Sequence, residues 1–452
     1  MTRNSQLLLF RRSLPLLFSA VVAVVAVVAA CATAPTRSDP PPAPDPLATP
    51  DSGTRGNAGD QGAAGAVLRA ATARIRAHDD WLVEQQISIC EIEAPPFKEQ
   101  RRAADFAARF RALGYTNVRL DAEGNVIAER PGDPGEPVLV LSAHLDTVFP
   151  EGTDVTVKQS GDTLRGPGIG DDCRGLAVLL AIARSLDEAD VRTRGTIIFV
   201  GTVGEEGAGN LRGVRHLVDV SLKDRIDYFV SIDDAGFTLV TAAVGSNRYR
   251  VTYLGPGGHS YADFGMPNPA HALGRAIALL SDVKVPERPK TTFSVGIVAG
   301  GTTVNAIAAT ASMDVDLRSE SPAALAVLDS TFRNAVAAAL AAEHARWPRS
   351  RTALDVKIDT IGIRPAGIQP ESSPLARAAL TTARELGLTV RPEASSTDAN
   401  YPISRGIPAI TIGYGGIGRG THSLSELWIN TPDAHLGPRW AMRIAFALVG
   451  VH

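Results

Sequence analysis

Several short clusters in the sequence carry the residue types that bind cations or move protons. His144-x-Asp146 follows the apolar run 138–141, and Asp171-Asp172 closes the glycine-rich stretch Gly166-x-Gly168-x-Gly170. Glu205-Glu206 is flanked by Gly204 and Gly207, Asp233-Asp234 follows Tyr228–Ile232, and His422 stands in Thr421-His422-Ser423. A histidine two residues from an aspartate at the exit of a buried strand can offer a ring nitrogen to a cation while the carboxylate orients the ring. Equally, it can be a loop histidine bonded to its neighbour. The glycine loop runs into a helix, an arrangement that cradles anions. Asp171 and Asp172 would repel a phosphate, however, and between Gly166 and Gly175 there is no Lys or Ser/Thr to hold phosphate and Mg2+. A cation suits the loop better. Adjacent glutamates on a helix are usually solvent-facing charge; at a strand end they point to chemistry.

The elements that must position these residues follow from periodicity. Residues 138–143 and 195–203 are apolar, strand-length runs of the kind buried on both faces of a parallel sheet, and Tyr228–Ile232 and Ala409–Ile412 are further strands. Ligands gather at the carboxyl ends of such strands, where His144-x-Asp146, Glu205-Glu206 and Asp233 fall. Helical spacing starts at Ala66, with Val67, Ala71, Ile75, Leu82 and Gln86 roughly on one face, and stops at Pro95-Pro96. Further helices are expected over about 98–113, after the glycine loop to about Leu186, over 374–386 and up to about Leu448, with a hairpin of 117–121 and 125–129. From Gly245 the texture changes. Strands at 248–254, 291–298, 311–318 and 354–361, with helices at 269–280 and 322–342, give the order βαββαβ of a ferredoxin-like unit. The expected fold class is α/β: a domain in two parts, 66–244 and 362–452, with a mostly parallel sheet flanked by helices, interrupted by an inserted ferredoxin-like α+β unit at 245–361.

A chain of 452 residues suggests two domains, with ample apolar content for both cores, and its formal charge of -3 carries no nucleic-acid footprint. Residues 1–30 hold Arg3, Arg11 and Arg12 ahead of an apolar run and no acidic residue, which reads as an export signal. The run ends Val28-Ala29-Ala30-Cys31, which resembles the lipobox of bacterial lipoproteins and implies lipidation of Cys31 and membrane anchoring; an ordinary cleaved signal or an uncleaved anchor helix are the alternatives. Residues 31–65, rich in Pro and Gly, read as a flexible tether. Cys90 and Cys173 remain, and an exported protein meets an oxidising compartment in which they could bridge.

Taken in order, these motifs resemble the M20 family of co-catalytic zinc metallopeptidases, which includes carboxypeptidase G2-like enzymes and peptidase T. The resemblance runs from about Ala66 to His452. It implies two Zn2+ per subunit, with Co2+ or Mn2+ as substitutes: His144 and Asp233 on one ion, Glu206 and His422 on the other, and Asp171 bridging both. It implies that a water between the ions is the nucleophile, Glu205 the general base and Asp146 the residue that orients His144. Cys173 stands where many relatives carry Lys. In the inserted unit, which the resemblance makes a lid, His259 of Gly257-Gly258-His259-Ser260 matches the histidine that reaches into a neighbouring protomer's site, so the resemblance implies a homodimer formed through the lid. Asn305 and Arg318 match lid residues that grip a substrate carboxylate, and Asp398 and Asn400 fall in a loop near the substrate. The expected activity is hydrolysis of peptide or amide bonds in small substrates. Asp at position 233 tilts this towards a di/tripeptide aminopeptidase or dipeptidase, with a carboxypeptidase or N-acyl amino acid amidohydrolase as the alternative. A non-catalytic metal-binding surface lipoprotein would be expected to have lost a ligand or the base, and none is lost.

Overall fold

The computed structural model describes residues 63–452. The expected signal peptide, Cys31 and nearly all of the tether lie outside them. The first helix, Ala63–Ala77, starts three residues earlier than expected, because Ala63 and Ala64 extend the helical run.

The larger sheet runs in the order Val118–Leu120, Val126–Arg130, Thr196–Thr202, Val138–His144, Tyr228–Ile232, Ala409–Ile412, Leu239–Ala243 and Gly367–Ile368, with Pro392–Ser395 pairing beside Leu239–Ala243. It is mixed: the middle four strands are parallel and both flanks antiparallel. Register sets the carboxyl ends of the middle strands side by side, His144 opposite Thr202 and Ser142 opposite Ser231. Alternate residues of Val138–His144 enter opposite cores, Leu139 and Leu141 one and Val140 the other. Such double burial explains why the run is apolar without a break.

An aromatic cluster ties the strand ahead of Glu205-Glu206 to its covering helix. Phe106 and Phe110 of Gln100–Ala112 meet edge-to-face at 5.2 Å, and Phe110 packs on Phe199 at 5.6 Å and Tyr115 at 5.5 Å. Truncating a buried aromatic such as Phe199 costs roughly 3–5 kcal/mol. On the same face Cys90, the last residue of Asp79–Cys90, is disulfide-bonded to Cys173, the first of Cys173–Glu188, with Cα atoms 5.4 Å apart. The bridge fastens the helix that follows the glycine loop.

Between Val244 and Pro365 the chain builds a second sheet with its own core. Its order is Thr291–Gly300, Thr310–Ser319, Gly245–Leu254, Asp355–Arg364, all antiparallel, with helices Pro269–Ser281 and Pro322–Arg346 on one face. The last strand continues to Arg364, beyond the expected limit at 361. A register shift between Thr360 and Gly362 breaks the alternation there, yet Gly362, Ile363 and Arg364 still pair with Arg248, Asn247 and Ser246. The long helix Pro322–Arg346 is apolar enough in length and composition to cross a membrane, but it packs on the sheet through Leu325, Leu328, Phe332, Val336 and Ala339.

Candidate active site

The carboxyl end of Val138–His144 delivers His144, buried, with Nε2 at 2.7 Å from Asp171 Oδ1 and Nδ1 at 3.0 Å from the backbone carbonyl of Asp146. The Asp146 carboxylate does more than pair with this ring. It accepts the backbone N–H of Glu205 at 3.0 Å and of Glu206 at 2.8 Å, while its Oδ1 lies 3.7 Å from His144 Nδ1. The main chain of Asp146 therefore aims the histidine, and its side chain holds the glutamate pair in place.

Asp171 is the centre of the cluster. His422 Nε2 lies 3.0 Å from Asp171 Oδ2 and 2.8 Å from Glu206 Oε1, so one carboxylate spans two imidazoles. His422 itself has φ 66°, a left-handed conformation that few non-glycine residues adopt and that is typical of strained functional positions. Asp172 is turned away: Oδ2 accepts the N–H of His144 at 3.0 Å and Oδ1 that of Gly175 at 3.1 Å, capping the following helix. A Cβ at Gly175 would collide with the Ile232 carbonyl and the Asp172 carboxylate, so glycine lets the helix approach the strand end.

Glu426 holds the glycine loop. Its carboxylate accepts the amides of Gly168 at 3.0 Å, Gly170 at 2.9 Å and Asp171 at 3.0 Å. The loop amides do cradle an anion, against the expectation of a cation there, and that anion is a carboxylate of the protein. Glu205 carries a partner that the sequence reading missed: Arg364 Nη1 donates to Glu205 Oε1 at 2.8 Å.

Asp171, Glu205, Glu206, Asp233, Asp234 and His422 line a pocket of about 510 Å³. Arg248, Arg318 and Arg364 enter it from the smaller sheet. His259 and Asn305 do not line it. They lie exposed at a small two-stranded ladder, Gly258–His259 paired antiparallel with Ala306–Ile307. Asp398 and Asn400 are corrected from substrate contacts to buried supports: Asp398 accepts a 2.5 Å hydrogen bond from the Thr202 hydroxyl, and Asn400 Nδ2 donates to the carbonyls of Val244 at 2.9 Å and Pro365 at 3.0 Å. Ser395, Ser396 and Thr397 of that loop face the pocket instead. The alternating wet face of the lid strands could have pointed to Arg248; Arg364 lies beyond the bulge and gave no such signal.

The carboxylates and imidazoles of the site shift one another strongly. Burial raises the Asp233 carboxyl well above its ordinary range, and Asp171, Glu205 and Asp234 push it further. Hydrogen bonds from His422 to Asp171 and Glu206 push that imidazole up to about 10. Burial would raise Asp171, but hydrogen bonds from His144 and His422 hold it below the usual carboxylate range. Ligand atoms of His144, Asp171 and Asp233 lie within 4.8 Å of one another, as do those of Asp171, Glu206 and His422, and those of His144, Glu205 and Glu206. The first two trios share Asp171, and together they offer two imidazoles and three carboxylates to a pair of divalent cations. The residues fit such a pair.

A crevice at the ends of parallel strands, lined also by arginines of the second sheet and able to hold two cations through a shared carboxylate, is the site of a dinuclear metal hydrolase. Residues 140–445, more than half of the chain, match the model of peptidase family M20/M25/M40. The chain belongs to that family and is a metal-dependent peptidase or amidohydrolase. Carboxypeptidase G2 of Pseudomonas sp. (strain RS-16) is 28% identical over 334 residues, 69% of this chain and 75% of that protein. Among solved structures, aminopeptidase PepT of Bacillus cereus superposes with a TM-score of 0.66 at 20% identity, covering 81% of this chain and 98% of its own. The Bacillus subtilis YXEP protein, a dinuclear metal binding peptidase from the M20 family, gives 0.62 at 16%, covering 83% and 100%.

Proposed function

We propose that the chain is a zinc-dependent exopeptidase acting on free di- and tripeptides, an aminopeptidase or dipeptidase. The observation that carries this reading is the polarity of the pocket. Asp234 enters it beside the cation trios at the carboxyl edge of the larger sheet, Arg248 and Arg318 from the smaller one. A short free peptide is cationic at its amine and anionic at its carboxylate, and a guanidinium suits the latter.

His144, Asp171 and Asp233 would hold one ion and Asp171, Glu206 and His422 the other; imidazole with carboxylate suits zinc. When bound, the ions supply Lewis-acid polarisation and water activation near neutral pH. Glu205 takes the proton of the attacking water and returns it to the leaving amine. Its Oε1 is held by Arg364, and Oε2 has no partner among the described residues. His259, exposed and not among the residues that line its own pocket, serves the site of a second copy by donating to the developing oxyanion. The edge strand Thr291–Gly300 supports dimerisation, with Ile297 and Val298 exposed and Val304 nearby fully so. The enzyme is exported and anchored through Cys31, a reading that rests on residues 1–31 of the sequence.

The likeness to carboxypeptidase G2 favours a second reading, release of a C-terminal residue or deacylation of an N-acyl amino acid, which uses the same arginines. Metal-free protein reloaded with Zn2+ and offered free, N-blocked and C-amidated peptides separates the two. Cleavage that requires the free amine is expected, and cleavage confined to N-acylated substrates would overturn it in favour of the second reading. Glu205→Gln should keep both ions and lose about 10²–10⁴-fold in kcat.

A further inference from the structure

Arg364 is the last residue of the strand that returns from the smaller sheet to the larger one, and its side chain is buried. Nη1 donates to Glu205 Oε1 at 2.8 Å and to the Ser396 hydroxyl at 3.2 Å, and Nη2 donates to the Glu205 backbone carbonyl. One guanidinium thus holds both ends of one residue. It fixes the carbonyl that begins the side chain's path and one of the two oxygens at its end, leaving the other oxygen for the pocket.

The surrounding contacts fasten the same strand end to the loop that carries Glu205. The N–H of Ile363 donates to Asn210 Oδ1 at 2.9 Å, and Arg215 donates to the Ile363 carbonyl. Asn400 joins the two crossings between the sheets, donating to Val244 on the way out and Pro365 on the way back. Lid crossing and base-bearing loop are therefore one hydrogen-bonded body.

We propose that Arg364 is the positioning residue of the general base, fixing the Glu205 carboxylate and coupling its placement to the lid. The inference rests on the reading of Glu205 as the base. A carboxylate freed from this clamp can rotate out of line with the attacking water, and a misplacement of about 1 Å can cost about 10²-fold in rate.

The test is steady-state kinetics and metal analysis of Arg364→Met and Arg364→Lys beside the wild type and Glu205→Gln, on the best peptide substrate found. Arg364→Met is expected to lose about 10²-fold in kcat, with KM within about threefold and two ions still bound, and Arg364→Lys, which keeps one charged donor, to fall in between. Added guanidinium ion should restore part of the loss in Arg364→Ala. A rise in KM at unchanged kcat would make Arg364 a substrate ligand and overturn the proposal, as would wild-type kinetics or loss of metal in parallel with activity. Removing a buried ion-pair partner can unfold a protein; Arg364→Lys then decides by the same split of kcat from KM, and collapse of both variants would assign Arg364 to the fold and overturn the proposal. A wild type inert towards every peptide, or a fully active Glu205→Gln, would instead overturn the functional reading.

Discussion

Glu426 Oε1 accepts the backbone amide of Asp171 at 3.0 Å, which makes a residue four positions after His422 the anchor of the carboxylate that both cation trios share. Its two oxygens take three amides in all, so the loop has no slack at Asp171. Glu426→Gln places an amide N–H₂ against N–H donors in a buried site. Zinc affinity is expected to fall about 10–100-fold, the usual effect of losing a support behind a ligand. Calorimetric or chelator-competition titration of the metal-free variant measures it, and an unchanged affinity would separate the clamp from metal binding.

The pH dependence of metal uptake follows from His422. Hydrogen bonds to Asp171 and Glu206 raise its pKa from the ordinary 6.5 to about 10, so the metal-free protein carries an imidazolium at neutral pH. A cation can take that ring nitrogen only if the proton leaves. Zinc binding at pH 7 should therefore release protons, and apparent affinity should climb as pH rises towards 10. The stability linked to this histidine runs the other way: it is fully present below about 6.5 and is lost as pH rises through about 10. Zinc titrations in buffers of different ionisation enthalpy test the release, and identical heats in all buffers would refute it.

Asp398 supplies a second pH effect, of separate origin. Burial, then the nearby Glu205, pushes its carboxyl from 3.8 up to about 7, while the Thr202 hydroxyl opposes the rise. A raised folded-state pKa contributes stability that is fully present below about 3.8 and lost as pH climbs through about 7. Asp398→Asn keeps the shape and stays neutral. In metal-free protein it should melt near the parent's temperature at pH 4 and above it at pH 8. A variant less stable than its parent at pH 8 would show that the ionised carboxylate is tolerated there.

Much of the site was legible because its ligands close short, strongly patterned elements. The apolar runs ending at His144, before Glu205-Glu206 and at Asp233 fixed which strand ends would meet, and the change of texture at Gly245 fixed where the second sheet begins. What escaped detection acts through the backbone or across long separations. The Asp146 carboxylate reads as a histidine partner until the amides of Glu205 and Glu206 are seen to occupy it. Arg364 lies 159 residues from Glu205 and past a bulge, so no periodicity points from one to the other. Asp398 and Asn400 belong to the loop whose Ser395, Ser396 and Thr397 face the pocket, yet both are buried behind it, since polar side chains that satisfy buried groups look in sequence like side chains that meet a substrate.

Sharing of sites between two copies is tested by complementation. His259 stands exposed on the two-stranded ladder it forms with Ala306–Ile307, outside its own chain's pocket, whereas Glu205 lies inside it. If each pocket draws its oxyanion donor from the other copy, a heterodimer of one His259→Ala chain and one Glu205→Gln chain contains one site with both defects and one site with neither. Each homodimeric variant should be nearly inactive, since losing an oxyanion donor costs about 10²–10³-fold and losing the base a comparable factor. Mixing them with subunit exchange should then restore activity towards half of the wild-type value per confirmed heterodimer. If His259 acts within its own chain, both sites of the heterodimer stay defective and no recovery follows. Tagging the two chains differently and purifying the doubly tagged species before assay makes the outcome decisive in either direction.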